Sequence, residues 1–368
     1  MSLASLIGLA LALAPAQADA PPVRTLARAW RGYASAYVTA EGRVIDHREG
    51  ITTSEGQAYA LLRAAWMQDR RRFEAVRTWT TAHLQGGDPS ALPAWKYGPS
   101  EGDGLRVLDP QPASDADLLY AYGLLLGARQ WQQPALEAQA VALAGNIWDE
   151  ETLLVPGGRV LLPGPWAAAL DPIPVNPSYF VPFVFRALVA VDGAHDWLSL
   201  VDRGYADLGA AMGATGLPPD WSWIDPTTGD VLPAPVGEEG KAAYGFEALR
   251  VPWNLAADLR WAGEPRAAAL LDRLDPLLDR LVRDGALPAR IAPDGTALVD
   301  YSWPGMSAAL LPALARRGDG GADVVWSGLA SRWSRRGWRQ PDDYYLANWL
   351  WFAVALWCDG IGPLEAAA

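Results

Sequence analysis

Apolar residues recur at spacings of three and four along most of this chain, which is the period of an α-helix with one buried face. Strand-like alternation is rare, and the clearest case is a small hairpin predicted around Val160 to Leu162. The helical pattern covers eleven stretches, namely 57–69, 71–84, 116–131, 134–147, 179–192, 196–212, 246–262, 265–282, 304–316, 322–334 and 343–357. They follow one another without a compositional break that would mark a linker. The pattern therefore predicts one all-α domain of stacked helical hairpins.

Long loops rich in proline and glycine separate some of these helices, notably at residues 86–104 and 154–180. Loops of this length are typical of functional surfaces rather than of simple connections. If six hairpins close into a ring, the inner helices all point the same way, and their N-termini gather on one face. An acidic residue at the start of one inner helix is then expected to face acidic residues at the starts of others.

Acidic residues do stand at four predicted helix starts, which are marked by Glu55, Asp115, Glu247 and the pair Asp342 and Asp343. Two of these sites have a serine just before the acid. Ser54 with Gln57 reads as a capping box, and Ser114 reads as a cap. A negative charge is favourable at the positive end of a helix, and this alone accounts for each acid in isolation. For Asp117 and Asp342 we expect no other role.

A pair of carboxyl groups is also what glycoside hydrolysis requires, one to protonate the leaving oxygen and one to activate water or attack the sugar. A helix N-terminus favours the ionised form, so a proton donor at Glu55 needs an opposing effect. Burial and the negative charge of Asp115 are the effects expected to raise its pKa. Asp115 is also expected to bind a sugar hydroxyl.

The composition narrows the class of ligand. Hydrophobic residues make up 51% of the chain and charged residues 20%, which indicates a globular protein with a large core. The net charge of −12 argues against nucleic acid as a partner. Nineteen tryptophans and twelve tyrosines offer flat faces on which sugar rings stack. The three histidines, His47, His83 and His195, have no ligand spacing, so we expect no metal and no cofactor.

The N-terminus has the pattern of a secretory signal peptide. An apolar run from Leu3 to Ala14 is followed by two Ala-x-Ala options, and no lysine or arginine precedes the run. The run is too short for a stable membrane span. Cys358 is the only cysteine, so no internal disulfide can form. We therefore predict a signal peptide at 1–20, a single domain at 21–368, and a periplasmic or secreted location.

Several motifs resemble those of glycoside hydrolase family 8, in the order found there. They are TTSEGQAYALL, LPAWKYG, ASDADLLYAYGLLLGARQW, NPSYF, FEALRVPW, GMSAALLPAL and DDYYLANWLWFAVALW. The likeness is greatest to the periplasmic endoglucanases that accompany bacterial cellulose synthases. It implies an (α/α)6 toroid of six helical hairpins with long loops on the active-site face. It also implies an inverting endo-β-1,4-glucanase that uses no metal, with β-1,4-glucan as substrate and the cellulose synthase export complex as a partner.

The resemblance also implies roles for individual residues. Glu55 becomes the general acid, Asp115 the acid that holds the distorted sugar beside the cleaved bond, and Arg250 an arginine beside the base. The aromatic residues implied in substrate binding are Trp95, Tyr179, Tyr344 and Tyr345.

The base is where this chain departs from the family. The usual run is Tyr-Asp-Ala-x-Arg, whereas residues 246–250 read Phe-Glu-Ala-Leu-Arg. The longer side chain of Glu247 narrows the space for water unless its backbone lies further back. Asp230 and Asp300 are alternative bases. Two alternatives to the leading function also stay open: a weakly active glucan-binding protein of the export machinery, and a family 8 enzyme for chitosan, xylan or mixed-linkage glucan.

Overall fold

The structure is a computed structural model that describes residues 23–102, 104–330, 333–334, 337–338 and 343–364. The predicted signal peptide and Asp342 lie outside these residues. Fourteen α-helices occur in the described part of the chain. They are α1 (Val23–Tyr37), α2 (Ser54–Trp66), α3 (Arg70–His83), α4 (Ser114–Trp131), α5 (Pro134–Glu150), α6 (Pro182–Val189), α7 (Trp197–Ala211), α8 (Arg250–Ala262), α9 (Pro265–Asp272), α10 (Asp275–Asp284), α11 (Pro304–Ala308), α12 (Leu311–Arg317), α13 (Gly321–Ala330) and α14 (Tyr344–Trp357).

The helices form the predicted (α/α)6 toroid. Its inner ring contains α2, α4, α6, α8, the segmented pair α11 and α12, and α14, each of which packs against the next. Aromatic contacts between Tyr59 of α2 and Phe352 of α14 close the ring. The outer ring contains α1, α3, α5, α7, the pair α9 and α10, and α13. Inner helices such as α2 and α14 are buried on nearly all sides, as expected for a helix enclosed by others.

Helix α1 was missing from the predicted stretches, although its sequence carries the signal. Leu26, Trp30, Tyr33 and Tyr37 are buried and recur at helical spacing. The helix supplies the outer member of the first of the six pairs. Helix α1 follows closely after the apolar N-terminal run, and its helical spacing was not distinguished from that run.

Prolines divide two of the predicted helices. The stretch 265–282 becomes α9 and α10, and 304–316 becomes α11 and α12. Proline lacks an N–H group, and its ring clashes with the carbonyl of the residue four positions earlier. Pro276 and Pro312 stand at the second position of the later segments, and the earlier segments end at Asp272 and Ala308.

Short strands shape the loops around the N-termini of the inner helices. The described residues contain ten: β1 (Thr52–Thr53), β2 (Lys96–Ser100), β3 (Gly104–Asp109), β4 (Thr152–Val155), β5 (Gly158–Leu161), β6 (Ile173–Val175), β7 (Ser222–Ile224), β8 (Val231–Leu232), β9 (Trp333–Ser334) and β10 (Gly337–Trp338). The β4–β5 hairpin contains Val160, close to where a hairpin was predicted. The sheet β1–β2–β3 lies beside the start of α2, and β6–β7–β8 comes before α8.

Candidate active site

Glu55 lies in the first turn of the inner helix α2, but the helix is capped differently from the prediction. Thr53 is the N-cap, and its hydroxyl accepts a hydrogen bond from the Gly56 N–H at 3.0 Å. The predicted capping box is therefore wrong. Gln57 turns away from the helix start, and its side-chain oxygen accepts a hydrogen bond from the Val44 N–H at 2.6 Å. Glu55 itself accepts a hydrogen bond from the Tyr59 hydroxyl at 2.7 Å.

Asp115 has the corresponding place in α4. Ser114 does not cap this helix, because its hydroxyl donates to the Leu162 carbonyl at 2.6 Å. The Asp115 side chain accepts a hydrogen bond from the Ala116 N–H at 2.8 Å and is only 7% exposed. The serine thus ties the start of α4 to the residue that follows β5 and leaves the neighbouring carboxyl free to point at the site.

Glu247 lies in a turn before α8, which begins four residues later than the sequence pattern suggested. The buried carboxylate of Asp220 holds this turn by accepting hydrogen bonds from the N–H groups of Glu247 and Ala248, at 3.0 and 2.9 Å. The Asn176 amide donates to Oε2 of Glu247 at 3.1 Å. With 36% of its side chain exposed, Glu247 is the most accessible of the three acids.

Arg250 joins the three acids into one cluster. Its Nη1 donates to Glu55 Oε1 at 2.7 Å and to Asp115 Oδ2 at 2.8 Å, while Nη2 donates to Glu247 Oε2. Its Nε donates to the Ser178 hydroxyl at 3.0 Å. Because one planar guanidinium contacts both Glu55 and Glu247, their bonded oxygens lie within about 7 Å of each other. The four side chains therefore share one site, which we call the carboxylate cluster.

The environment changes the pKa values of two acids in this cluster. Burial raises the pKa of Glu55, and the charge of Glu247 adds to this, while Arg250 and the Tyr59 hydroxyl oppose it. Burial likewise raises the pKa of Asp115 to about 7, against the opposing charge of Arg250. The predicted direction at Glu55 therefore holds. The negative charge that matters most there comes from Glu247 rather than from Asp115.

The four aromatic residues implied in substrate binding surround the cluster at different depths. Tyr179 lies under the Arg250 guanidinium, whose central carbon is 5.2 Å from the centroid of the tyrosine ring. Trp95 is partly exposed beside the start of α2, and its carbonyl accepts a hydrogen bond from the Ser54 N–H. Tyr345 stacks on Trp303 and donates to the Phe246 carbonyl at 2.9 Å. Tyr344 is buried, and its hydroxyl is hydrogen bonded to Thr53 at 3.1 Å. Their contact with a sugar stays a prediction.

Sequence reasoning missed the groups that support the cluster. Tyr59 contacts it from one turn further along α2, and Asn176, Ser178 and Asp220 contact it from two other parts of the chain. Asn176 and Ser178 are the first and third residues of the NPSYF motif, which was the available signal for them. Asp220 had no such signal, because its partners are backbone N–H groups 27 and 28 residues away.

A row of aromatic rings leading away from the cluster was also missed. Trp221 lies 6.4 Å from Tyr179 and 6.5 Å from Trp166, measured between ring centroids. Trp166 is 39% exposed, so the row runs from the surface to the carboxylate cluster. The Lys241 ammonium lies 5.9 Å from the Trp221 ring. The ring planes are tilted to one another by 49° and 54°, and each ring is of the kind on which a sugar unit can stack.

The other candidate groups lie elsewhere. Asp230 and Asp300 are exposed, and neither is among the hydrogen-bond partners of Arg250 described above. His195 is paired with Asp192, and His47 and His83 contact backbone carbonyls. Across the described ranges there is no group of three or more metal-ligating side chains. Nor does any helix in those ranges have the length and apolar character needed to cross a bilayer.

Comparisons with known proteins agree with this architecture. The sequence profile described as glycosyl hydrolases family 8 matches residues 5–334. An endoglucanase from Salmonella typhi is 33% identical over 295 residues, covering 79% of this chain and 78% of that protein. An endoglucanase from Xanthomonas axonopodis pv. citri is 32% identical over 86% of this chain and 80% of its own length. The crystal structure of an endo-1,4-D-glucanase from Vibrio fischeri ES114 superimposes with a TM-score of 0.79 at 28% identity, covering 90% of this chain and 94% of that one.

Proposed function

Because this chain belongs to family 8 of the glycosyl hydrolases, we propose that it is an inverting endo-β-1,4-glucanase acting on cellulose or a related β-glucan. The observation that carries the proposal is the carboxylate cluster, in which Arg250 contacts Glu55, Asp115 and Glu247 at once. Relatives named endoglucanase support the choice of glucan as substrate.

In this reaction Glu55 protonates the departing glycosidic oxygen, and Glu247 removes a proton from the water that attacks the opposite face of the anomeric carbon. The environments of the two groups suit these roles. Glu55 is 20% exposed and its pKa is raised, so it holds a proton more readily than a free glutamate. Glu247 is more open to solvent, and its Oε2 accepts hydrogen bonds from Asn176 and Arg250, which hold the carboxylate in place.

Asp115 contributes to binding of the sugar, and Arg250 balances the negative charges of the acids. Asp115 is nearly buried beside Glu55, where it can accept a hydrogen bond from a sugar hydroxyl and stabilise positive charge at the anomeric centre. Arg250 offsets the charges of the acids when no substrate is bound. Incoming sugar hydroxyls replace part of its contacts, which strengthens the influence of burial on the Glu55 proton.

The stereochemistry of the product tests the proposal directly. Proton NMR of fresh products from a soluble β-1,4-glucan is expected to show the α-anomer first, because a single displacement inverts the configuration. The β-anomer as first product would contradict the mechanism. Loss of viscosity in carboxymethylcellulose, well before reducing ends accumulate, is the expected mark of internal cleavage.

Substitution of Trp221 by alanine tests the aromatic row. We expect KM for long cello-oligosaccharides to rise about tenfold with little change in kcat, because stacking there contributes equally to substrate and transition state. Steady-state kinetics on oligosaccharides of increasing length measures this. Trp221→Phe keeps a ring and is expected to restore most of the affinity. A fall in kcat without a change in KM would place Trp221 outside the binding surface.

A second candidate function is a weakly active glucan-binding protein. The observation that favours it is the Phe246-Glu247 pair in place of the family's Tyr-Asp. Such a protein would bind cellulose without lowering the viscosity of carboxymethylcellulose. Activity on chitosan, xylan or mixed-linkage glucan is distinguished by a panel of these substrates.

We also propose that the enzyme works outside the cytoplasm, after removal of residues 1–20, on glucan delivered by a cellulose synthase export complex. The apolar leader with its small-residue cleavage options supports export. Fractionation of cells, with N-terminal sequencing of the exported protein, tests the location and the cleavage together.

A further inference from the structure

Two further carboxyl groups, those of Asp117 and Glu151, lie behind the site and take no part in the proposed mechanism. Both residues are fully buried at 0% exposure. Within the described residues, no N–H group and no hydroxyl donates a hydrogen bond to any of their four oxygens. The two carboxyl groups are close enough to shift each other's pKa, and two carboxyl groups can hydrogen-bond to each other only through a proton.

The helix ends indicate where that proton resides. Asp117 lies in the first turn of α4, whereas Glu151 directly follows the last residue of α5. The start of a helix stabilises a negative charge and its end destabilises one. Burial raises the pKa of both groups, so a proton shared between them is held firmly. Glu151 is therefore the donor and Asp117 the acceptor.

The pair completes a set of contacts around the start of α4. Leu162 donates its N–H to the Glu151 carbonyl at 2.8 Å and accepts from the Ser114 hydroxyl at 2.6 Å. The Ser114 N–H donates to the Pro163 carbonyl at 3.2 Å. The residues after β5 thus bind both the end of α5 and the residue before Asp115. The contact between Asp117 and Glu151 connects the start of α4 to the end of α5 a second time, on the other side of Asp115.

We propose that Asp117 and Glu151 share one proton across the α4–α5 hairpin, and that this pair is a positioning device that holds Asp115 in the carboxylate cluster. The inference rests on the proposed function for its consequence in catalysis. Loss of the shared proton places two negative charges in the core, two residues from Asp115. The first turn of α4 is then repelled from the end of α5, and Asp115 moves from its place beside Arg250.

The other charges near the pair do not remove the need for a proton. Asp115 and Glu150 are the charged neighbours that act most strongly on it, and both raise the pKa values of the pair. The positive charge on the neighbouring β4–β5 hairpin has other partners. The Arg159 guanidinium donates to the Thr152 hydroxyl and lies over the Trp148 ring.

The sign of the pH dependence follows from where the proton is held. In the unfolded chain both carboxyl groups lose their protons at about pH 4, whereas the folded protein keeps the shared proton at higher pH. Because the folded state binds more protons above that pH, the free energy of unfolding falls as the pH rises. The positioning of Asp115 is expected to fail in the same direction.

Glu151→Gln tests the proposal, because its amide donates to Asp117 as the proton does and cannot be lost. Relative to wild type, its Tm is expected to rise by several degrees at about pH 9 and by much less at about pH 5. Its kcat and KM at neutral pH are expected to stay close to those of wild type. Glu151→Met, which removes the donor, is expected to lower kcat about tenfold at neutral pH.

Asp258→Asn is the matched control, since Asp258 is equally buried but is paired with Arg186 and Tyr205 away from the cluster. It should lose stability without the loss of kcat expected for Glu151→Met. In the infrared spectrum, the carbonyl stretch of a protonated carboxyl group should be weaker in Glu151→Gln than in wild type. An unchanged band, or a Tm difference independent of pH, overturns the shared proton. Wild-type kcat in Glu151→Met, or a loss in Glu151→Gln as large as in Glu151→Met, overturns the positioning role. If the enzyme cleaves no glucan, the proposed function fails, and the band and the Tm still decide the pair.

Discussion

Replacement of Glu55 by glutamine is expected to lower kcat on a soluble β-1,4-glucan by about 10³-fold or more, with little change in KM. The amide fills the same space and still accepts a hydrogen bond from Tyr59, but it cannot protonate the leaving oxygen. Release of reducing sugar measured over a range of substrate concentrations gives both constants. The loss is expected to be smaller for substrates with an activated leaving group, since these need less help from an acid.

Glu137→Gln provides the matched control, because Glu137 is a partly exposed glutamate of the outer helix α5 that pairs with Arg129. It is expected to retain wild-type kinetics. Binding of cello-oligosaccharide to Glu55→Gln, measured by tryptophan fluorescence, shows whether the site remains intact. If Glu55→Gln keeps more than a tenth of the wild-type kcat, Glu55 is not the general acid.

Substitution of Glu247 is expected to lower kcat by a similarly large factor. The loss is also expected to depend on the length of the side chain at this position. Glu247→Gln removes the base and is expected to lower kcat by about 10²- to 10⁴-fold. Glu247→Asp restores the acid that the family normally has, but it withdraws the carboxylate from Asn176 and Arg250, which donate to it here. A displacement of about 1 Å at a reacting group costs up to about 10²-fold, so we expect Glu247→Asp to be impaired rather than improved.

Kinetics of the two Glu247 variants, beside Glu238→Gln from the preceding loop, distinguish loss of charge from loss of reach. Glu238 is a partly exposed residue paired with Lys241, and its substitution is expected to leave kcat and KM unchanged. Equal activity of Glu247→Gln and wild type would assign the base to another acid. Wild-type activity in Glu247→Asp would show that the backbone here tolerates either length.

Several local rules worked because they depend on residues close together in the chain. Periodicity identified the inner helices, although it ran through Pro276 and Pro312, where the structure divides the helix. Helix capping was less successful. The Ser-x-x-Gln pattern at Ser54 fits a capping box, yet the helix starts one residue earlier in register because Thr53 takes the cap and Gln57 is drawn to Val44. A buried partner outweighed a cap that another residue could supply.

At Asp117 too, the local pattern did not show the buried partner that decides the role of the residue. At the sequence level its place in the first turn of α4 explained it fully as a helix-dipole partner. The structure buries it completely against Glu151, 34 positions away on the neighbouring helix's end. A carboxyl group that is welcome at an exposed helix start requires a proton or a donor once water is removed. Burial, which the local pattern does not report, changed what the residue has to do.

The sequence by itself determined most of the helices and the presence of acids at the starts of inner helices, because each depends on spacing within a few residues. The closed ring of six pairs was implied by the resemblance to family 8. Only the tertiary structure decided which groups meet. Arg250 and Glu55 are 195 positions apart, and no local pattern relates them. The pKa values of Glu55 and Asp115, the support of Glu247 by Asp220 and Asn176, and the pairing of Asp117 with Glu151 all depend on the burial and distances that packing creates.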